Sequence, residues 1–215
     1  MEQTNIPQVP VAGLRIGDRV PEFAARSTVG DLRMSDYRDS WVILFSHPAD
    51  FTPVCTSEFV ELARAQEEFD QRGCALMALS VDSLFSHFAW LRMIRDRFDV
   101  EVRFPIVEDP TLVIASAYGM VAPGDNDSAT VRNTFFIDPA GTVRAMTCYP
   151  ASVGRSIPEL LRTLDALQAV DRESALAPAN WQPGDKLLAS PEVSLDTVFS
   201  SEGPSDWFLR ECPGK

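Results

Sequence analysis

The chain has 215 residues, 45% of them hydrophobic, with 31 acidic against 19 basic side chains and a formal charge of -12. That length suits one domain with a substantial extension and a real core, and the charge argues against nucleic acid or anionic membrane as a partner, because phosphate binding needs clustered Lys and Arg. The first residues lack the charged, apolar, small-residue order of a signal peptide and no apolar run approaches membrane-spanning length, which predicts a cytoplasmic protein.

The first element is a short hairpin, with Gly30-Asp31 as the turn between residues 23–29 and 32–34. Residues 41–45, WVILF, are a continuous apolar run with β-branched and aromatic members. The run is too short for a typical helix and reads as a strand buried on both faces. Pro48 stops it. Thr52-Pro53 is a helix-start signal, a threonine oxygen to cap orphan N–H groups and a proline at the first helical position. Phe59, Leu62, Ala63, Gln66 and Phe69 then recur at helical spacing until Gly73. Cys55 therefore falls in the first helical turn, where unpaired N–H groups and the macrodipole favour a thiolate, and a thiolate is a nucleophile.

Residues 74–81, CALMALSV, form the next strand, so strand, helix and strand make a βαβ unit with parallel pairing. Residues 84–98 read as an amphipathic helix. Its His87, with no ligand at helical spacing, reads as structural or solvated. Pro110 opens a helix over TLVIASAY that Gly119 closes, and residues 122–128 are a polar loop. Residues 130–149 form a hairpin about Pro139-Ala140-Gly141, with Arg132 early in its first strand. Ser156 and Glu159 form a capping box for a helix whose Leu160, Leu161, Leu164 and Leu167 face inward. From residue 171 the helical pattern fades into a proline-punctuated arm. The four cysteines, Cys55, Cys74, Cys148 and Cys212, are scattered, with no close pair of the kind that holds zinc. Cys74 and Cys148 lie within strands and read as packing.

Pro48, Thr52 and Cys55 in PADFTPVC match the Pro-x-x-x-Thr-x-x-Cys motif of the peroxiredoxins, and LFSHPADFTPVCTSE, LSVDSLFSHFAWL and YPASVGRSIPELLR resemble the group containing the 1-Cys enzymes and their archaeal and bacterial relatives. The likeness runs from about Gly13 to Trp207. It implies a thioredoxin-like α/β fold, a central mixed sheet flanked by helices, with residues 1–170 as the peroxidase domain and 171–215 as an arm that packs on the partner subunit. It also implies a thiol-specific peroxidase that reduces hydrogen peroxide and organic hydroperoxides through a sulfenic acid at Cys55. Pro48 would roof the pocket, and Thr52 and Arg132 would hold the peroxide. Glu58, Arg155 and His47 would support the site, although an exposed helix glutamate is the competing reading of Glu58. No cofactor or metal is called for. The reductant would be a thioredoxin-like protein or a low-molecular-weight thiol, and the assembly a homodimer or ring of dimers.

Cys212 has two readings, a resolving cysteine or a terminal thiol without a role, since Arg210 stands where related tails often carry the cysteine. A peroxide sensor or redox-switched chaperone could use the same Cys55. A cysteine hydrolase with His47 as base lacks an identifiable third residue. The phospholipase segment of some relatives is degraded here to Arg38-Asp39-Ser40-Trp41-Val42, with Met34 in place of the histidine.

Overall fold

The computed structural model describes residues 13–121, 130–191, 194 and 208–212. The predicted loop at 122–128 lies outside them. The chain divides into two compact units, residues 1–157 and 158–215.

The first unit is built on a seven-stranded sheet whose strands lie in the order β2 (Gly30–Arg33), β1 (Ala24–Ser27), β5 (Ile106–Glu108), β4 (Cys74–Ser80), β3 (Trp41–Ser46), β6 (Arg132–Ile137) and β7 (Val143–Tyr149). Its centre is β3 (Trp41–Ser46), buried along its whole length between β4 (Cys74–Ser80), which runs parallel, and β6 (Arg132–Ile137), which runs antiparallel. β5 (Ile106–Glu108) extends the parallel side, and β7 (Val143–Tyr149) pairs with β6 at the edge. Mixed pairing follows from the connections. The helical crossover makes β3 and β4 parallel, and the tight turn at Gly141 makes β6 and β7 antiparallel.

Alternation sends Val42 and Leu44 into a cluster with Leu79, Tyr118 and Phe135. Phe45, from the opposite pleat, stacks on Phe59 of α1 (Pro53–Arg64) at 5.8 Å, and Phe59 in turn meets Trp90 of α3 (Leu84–Phe98) at 4.5 Å. α1 and α3 are thereby fixed beside the carboxyl end of β3.

Three local expectations shift. The first hairpin, β1 (Ala24–Ser27) with β2 (Gly30–Arg33), turns at residues 28–29 and not at Gly30-Asp31, because Ser27 bonds back to the Gly30 carbonyl and the Val29 amide. The helix after Thr52 is two helices, with α2 (Gln66–Gln71) following a break at Ala65, where ψ is 0 and Glu68 closes a tighter bond to the Ala65 carbonyl. Pro110 does not open its helix. α4 (Val113–Ala117) starts later because the Asp109 carboxylate accepts from the amides of Val113 and Ala115.

In the second unit, α5 (Ile157–Glu173) begins at the boundary, and Leu160, Leu161 and Leu164 are buried while Leu167 is half-buried. A small cluster of Ala169, Ala175, Trp181 and Leu187 follows, with β8 (Leu187–Leu188) paired antiparallel to β9 (Glu211–Cys212). Cys212 is thus held in a strand opposite Leu187. No helix among the described residues is long and apolar enough to cross a membrane.

Candidate active site

The site forms where β3 ends and α1 begins. Thr52 occupies the N-cap position with extended backbone, Pro53 follows, and Cys55 lies in the first turn with its side chain fully buried. Thr52 does not cap through its side chain as expected. Its hydroxyl donates to the Ala49 carbonyl at 2.9 Å, while its own carbonyl accepts from the Thr56 amide and hydroxyl. The threonine oxygen keeps its lone pairs and has committed its proton.

The sulfur's partner is Arg132. Arg132 Nη1 donates to Cys55 Sγ at 3.2 Å and to Glu58 Oε2 at 2.7 Å, and its Nε and Nη2 both donate to the Ala151 carbonyl. Glu58 is buried, not exposed, one turn of helix after Cys55. Its carboxylate also accepts from the backbone amide of Arg155 at 2.7 Å and from Arg155 Nη1 at 3.1 and 3.0 Å. The Arg155 guanidinium is completed by Thr134 Oγ1 and the carbonyls of Ser46 and Asn133, and it lies over the Phe45 ring. Burial lowers its pKa, opposed by Glu58, but a guanidinium starts high enough to stay a cation.

Two buried guanidinium groups face one carboxylate, which leaves one positive charge over beside the sulfur of Cys55. The five hydrogen bonds from the Arg155 side chain give a rigid mount, so Arg132 needs no reorganisation to hold charge developing next to the sulfur.

Pro48 is buried in the loop above Thr52 in sequence, beside a fully buried His47. His47 Nε2 and His87 Nδ1 both bond Asp50, at 3.0 and 2.8 Å. Burial alone would raise the Asp50 pKa, and the two imidazole hydrogen bonds outweigh it and hold the carboxyl well below its ordinary range. Asp50 is the third residue that the hydrolase reading lacked, yet the sulfur takes its hydrogen bond from Arg132. His87 is not solvated, for its carboxylate partner is 37 positions away, a spacing that helix periodicity cannot reveal. Asp50 and Thr56, which accepts from Trp90 Nε1 at 3.2 Å, carried no signal in the sequence beyond their nearness to Cys55.

Ser40 stands before the amino end of β3 and Cys55 beyond its carboxyl end, which puts roughly 20 Å of strand between them. Both histidines of the chain, His47 and His87, belong to the Cys55 end, so Ser40 has no imidazole base.

A mixed sheet with a helix-borne thiol bound by a buried arginine places the protein among the thioredoxin-like thiol oxidoreductases. The chain belongs to the peroxiredoxins: residues 16–146 match the AhpC/TSA family, and residues 166–199 match the C-terminal domain of 1-Cys peroxiredoxin. It is 48% identical over 210 residues to a peroxiredoxin of Aquifex aeolicus, covering 91% of this chain and 95% of that one. It is 44% identical over 197 residues to peroxiredoxin 2 of Picrophilus torridus, covering 91% and 97%. A solved yeast mitochondrial 1-Cys peroxiredoxin, whose thiol is resolved via glutathione/thioredoxin systems, superposes with a TM-score of 0.83 at 41% identity over 93% of this chain and 99% of that one. The protein is a thiol-dependent peroxidase with the thioredoxin-like fold and C-terminal arm that its sequence implied.

Proposed function

We propose that Cys55 is the nucleophile that reduces hydrogen peroxide and small organic hydroperoxides, with Arg132, Thr52 and Pro48 as the other catalytic residues. The observation that carries this is the 3.2 Å contact of Arg132 Nη1 with a fully buried Cys55 Sγ, on a nitrogen already fixed by Glu58. The thiolate attacks the nearer peroxide oxygen, the S–O bond forms as the O–O bond breaks, and hydroxide or alkoxide leaves and takes up a proton. Negative charge spreads over both oxygens as this happens, where Arg132 and the amides of the first turn of α1 stabilise it. Thr52 Oγ, its proton committed to Ala49, accepts the O–H of the peroxide. Pro48 limits water. Glu58 and Arg155 hold Arg132, and His47 steadies the loop beside the oxidised sulfur.

The sulfenic acid then condenses with a thiol, releasing water, and a second thiol frees Cys55. A thioredoxin-like protein or a low-molecular-weight thiol is the reductant, a reading that the glutathione/thioredoxin systems of the yeast relative favour. Cys212 is the candidate resolving cysteine. Its place in β9 requires that strand to detach from β8, and two paired residues make a weak hold. The protein acts in the cytoplasm as a homodimer or ring of dimers. The edge of β7 beyond Val143, which itself pairs with Gly17 and Asp18, and the exposed Phe51, Phe85 and Phe88 support association. Residues 1–170 serve as the peroxidase domain and 171–215 as an arm that packs on the partner subunit.

Steady-state peroxide consumption with dithiothreitol tests the reading. Cys55→Ser abolishes turnover, whereas Cys212→Ser keeps it, because a small dithiol replaces the resolving step. Full activity in Cys55→Ser overturns the assignment.

A further inference from the structure

The loop between β3 and α1 is held by a second buried cluster, of which the peroxide chemistry above uses only His47. The loop bears a strained residue. Phe51 adopts φ 56, a left-handed conformation that a bulky side chain adopts rarely, and the residue is 54% exposed, so packing within its own chain does not compensate. The hold comes from its neighbour. Asp50 donates its amide to Asp82 Oδ2 at 2.7 Å, and its carboxylate takes one bond from His47 of the same loop and one from His87 of α3. His47 is fixed on its backbone as well, by the Leu79 carbonyl and the Thr130 hydroxyl. Both imidazoles are fully buried.

His47, Asp50 and His87 also have the composition of a divalent metal site. Their outer nitrogens decide against it. A metal-bound imidazole carries a proton on its far nitrogen and donates it to a second partner, but His47 Nδ1 and His87 Nε2 are buried with no partner among the described residues. A metal would leave two buried donors unsatisfied. Protons on the nitrogens that face Asp50 leave only lone pairs unpaired, which is the smaller cost. Each imidazole therefore donates to the one carboxylate through the nitrogen that faces it.

We infer that His87 is a positioning residue for the peroxide reaction: through the Asp50 carboxylate it fixes, from α3, the 47–52 loop that carries Pro48 and Thr52 to Cys55. The inference rests on the peroxidase reading of Cys55. His87 makes this bond through Nδ1, so the identity of the donor atom, and not the volume of the side chain, is what the loop needs. The amide nitrogen of asparagine occupies the place of Nδ1, and that of glutamine the place of Nε2.

The test follows the reaction of reduced protein with hydrogen peroxide by rapid mixing, alongside alkylation of each cysteine by iodoacetamide read by peptide mass. His87→Leu lowers the second-order rate constant of Cys55 with peroxide by about 10- to 100-fold, the scale of an ångström-sized misplacement of reacting groups. His87→Asn restores most of that rate and His87→Gln does not. Iodoacetamide needs only a local opening of the first turn of α1 to reach the buried Cys55 and no ordered peroxide pocket, so its rate there does not fall in His87→Leu, whereas Cys74, inside β4 of the central sheet, stays unalkylated while the fold is intact. A peroxide rate unchanged in His87→Leu overturns the inference. So does an equal loss in the asparagine and glutamine variants, or an equal loss toward peroxide and iodoacetamide. If His87→Leu exposes Cys74, the asparagine–glutamine comparison carries the decision. If wild-type Cys55 ignores peroxide, the peroxidase reading fails by itself. Amide exchange over residues 50–56 then judges the clamp, faster in His87→Leu and restored in His87→Asn if it stands, unchanged in both if it does not.

Discussion

Nη1 of Arg132 serves two partners at once, the sulfur of Cys55 and the carboxylate of Glu58. Lysine keeps the charge but cannot reproduce the fork that also reaches Ala151 through Nε and Nη2. Arg132→Lys is expected to lower kcat/KM for hydrogen peroxide by about 100-fold or more, the usual scale for one misplaced charge-stabilising donor. A loss below threefold, measured by rapid-mixing kinetics, would show that the guanidinium is not spent on the transition state. The thiols differ sharply from one another. Burial pushes the Cys74 thiol up to about 12, while Cys148 is exposed on β7. At pH 8, iodoacetamide should label Cys148 within minutes and leave Cys74 unlabelled until denaturant is added. Labelling of Cys74 in the native protein would refute its burial. At this scale the sequence was most informative where chemistry needs neighbours along the chain: Thr52, Pro53 and Cys55 mark a helix start and a thiol by spacing alone. Arg132 and Arg155 are invisible to such spacing, because the residues they serve lie 77 and 97 positions away. They were reached through the family resemblance. Asp50 was missed altogether.

At the scale of elements, Glu58 ties α1 to β6 and to the turn before α5 through two buried arginines. Replacing Arg155 by leucine removes two of the four bonds to the Glu58 carboxylate, leaving those from Arg132 and the backbone amide of residue 155, and takes the guanidinium from the Ser46 and Asn133 carbonyls. Breaking a buried pair this way costs about 3–5 kcal/mol. The melting temperature should fall by roughly 10 °C, on the usual conversion for a chain of this size. A shift under 2 °C in calorimetry would mean that the network is not structural. Gly119 gives a second check. It has φ +68, and a Cβ there would come within 2.6 Å of Gly13 Cα, backbone that cannot swing aside. Gly119→Ala is thus expected to destabilise by more than about 1 kcal/mol, read from denaturant midpoints. β3, β4, the β6–β7 hairpin and α3 were legible because the strands are apolar runs or flank a turn signal and α3 has a regular apolar stripe, whereas β5, β8 and β9, of two or three residues each, are too short to show a period. The start of α4 was not legible either. Its cap is the side chain of Asp109, and the proline signal three residues before the helix draws the boundary too early.

For the whole molecule, acid is the informative perturbation. Burial holds the His47 pKa below its ordinary 6.5, outweighing the pull of Asp50 and Asp82 the other way and reinforced by His87. The unfolded chain therefore binds a proton first as pH falls through 6.5, and stability drops from there down to the folded value. Asp50 acts in the same direction at lower pH. Its folded carboxyl titrates below the ordinary 3.8, so its contribution is full above that value and is lost beneath it. Melting curves should show a falling midpoint from pH 7 to 5.5, with a shallower slope in His47→Gln. Parallel slopes would contradict a buried neutral His47. The two compact units divide between residues 157 and 158, at the start of α5 and not where the helical pattern fades at 171, because α5 packs Ala169 into the cluster of Trp181 and Leu187. The pairing of Cys212 with Leu187 joins strands too short to leave a period in the sequence.

On the function proposed above, peroxide meets the molecule at the sulfur of Cys55. Reduced protein should receive one equivalent of hydrogen peroxide in the presence of dimedone, which traps sulfenic acid, and be mapped by peptide mass. Dimedone on Cys55 in the wild type, lost in Cys55→Ser and weakened in Arg132→Lys, is the predicted result. Adducts confined to Cys148 or Cys212, with Cys55 still a free thiol and no disulfide formed, would contradict the account.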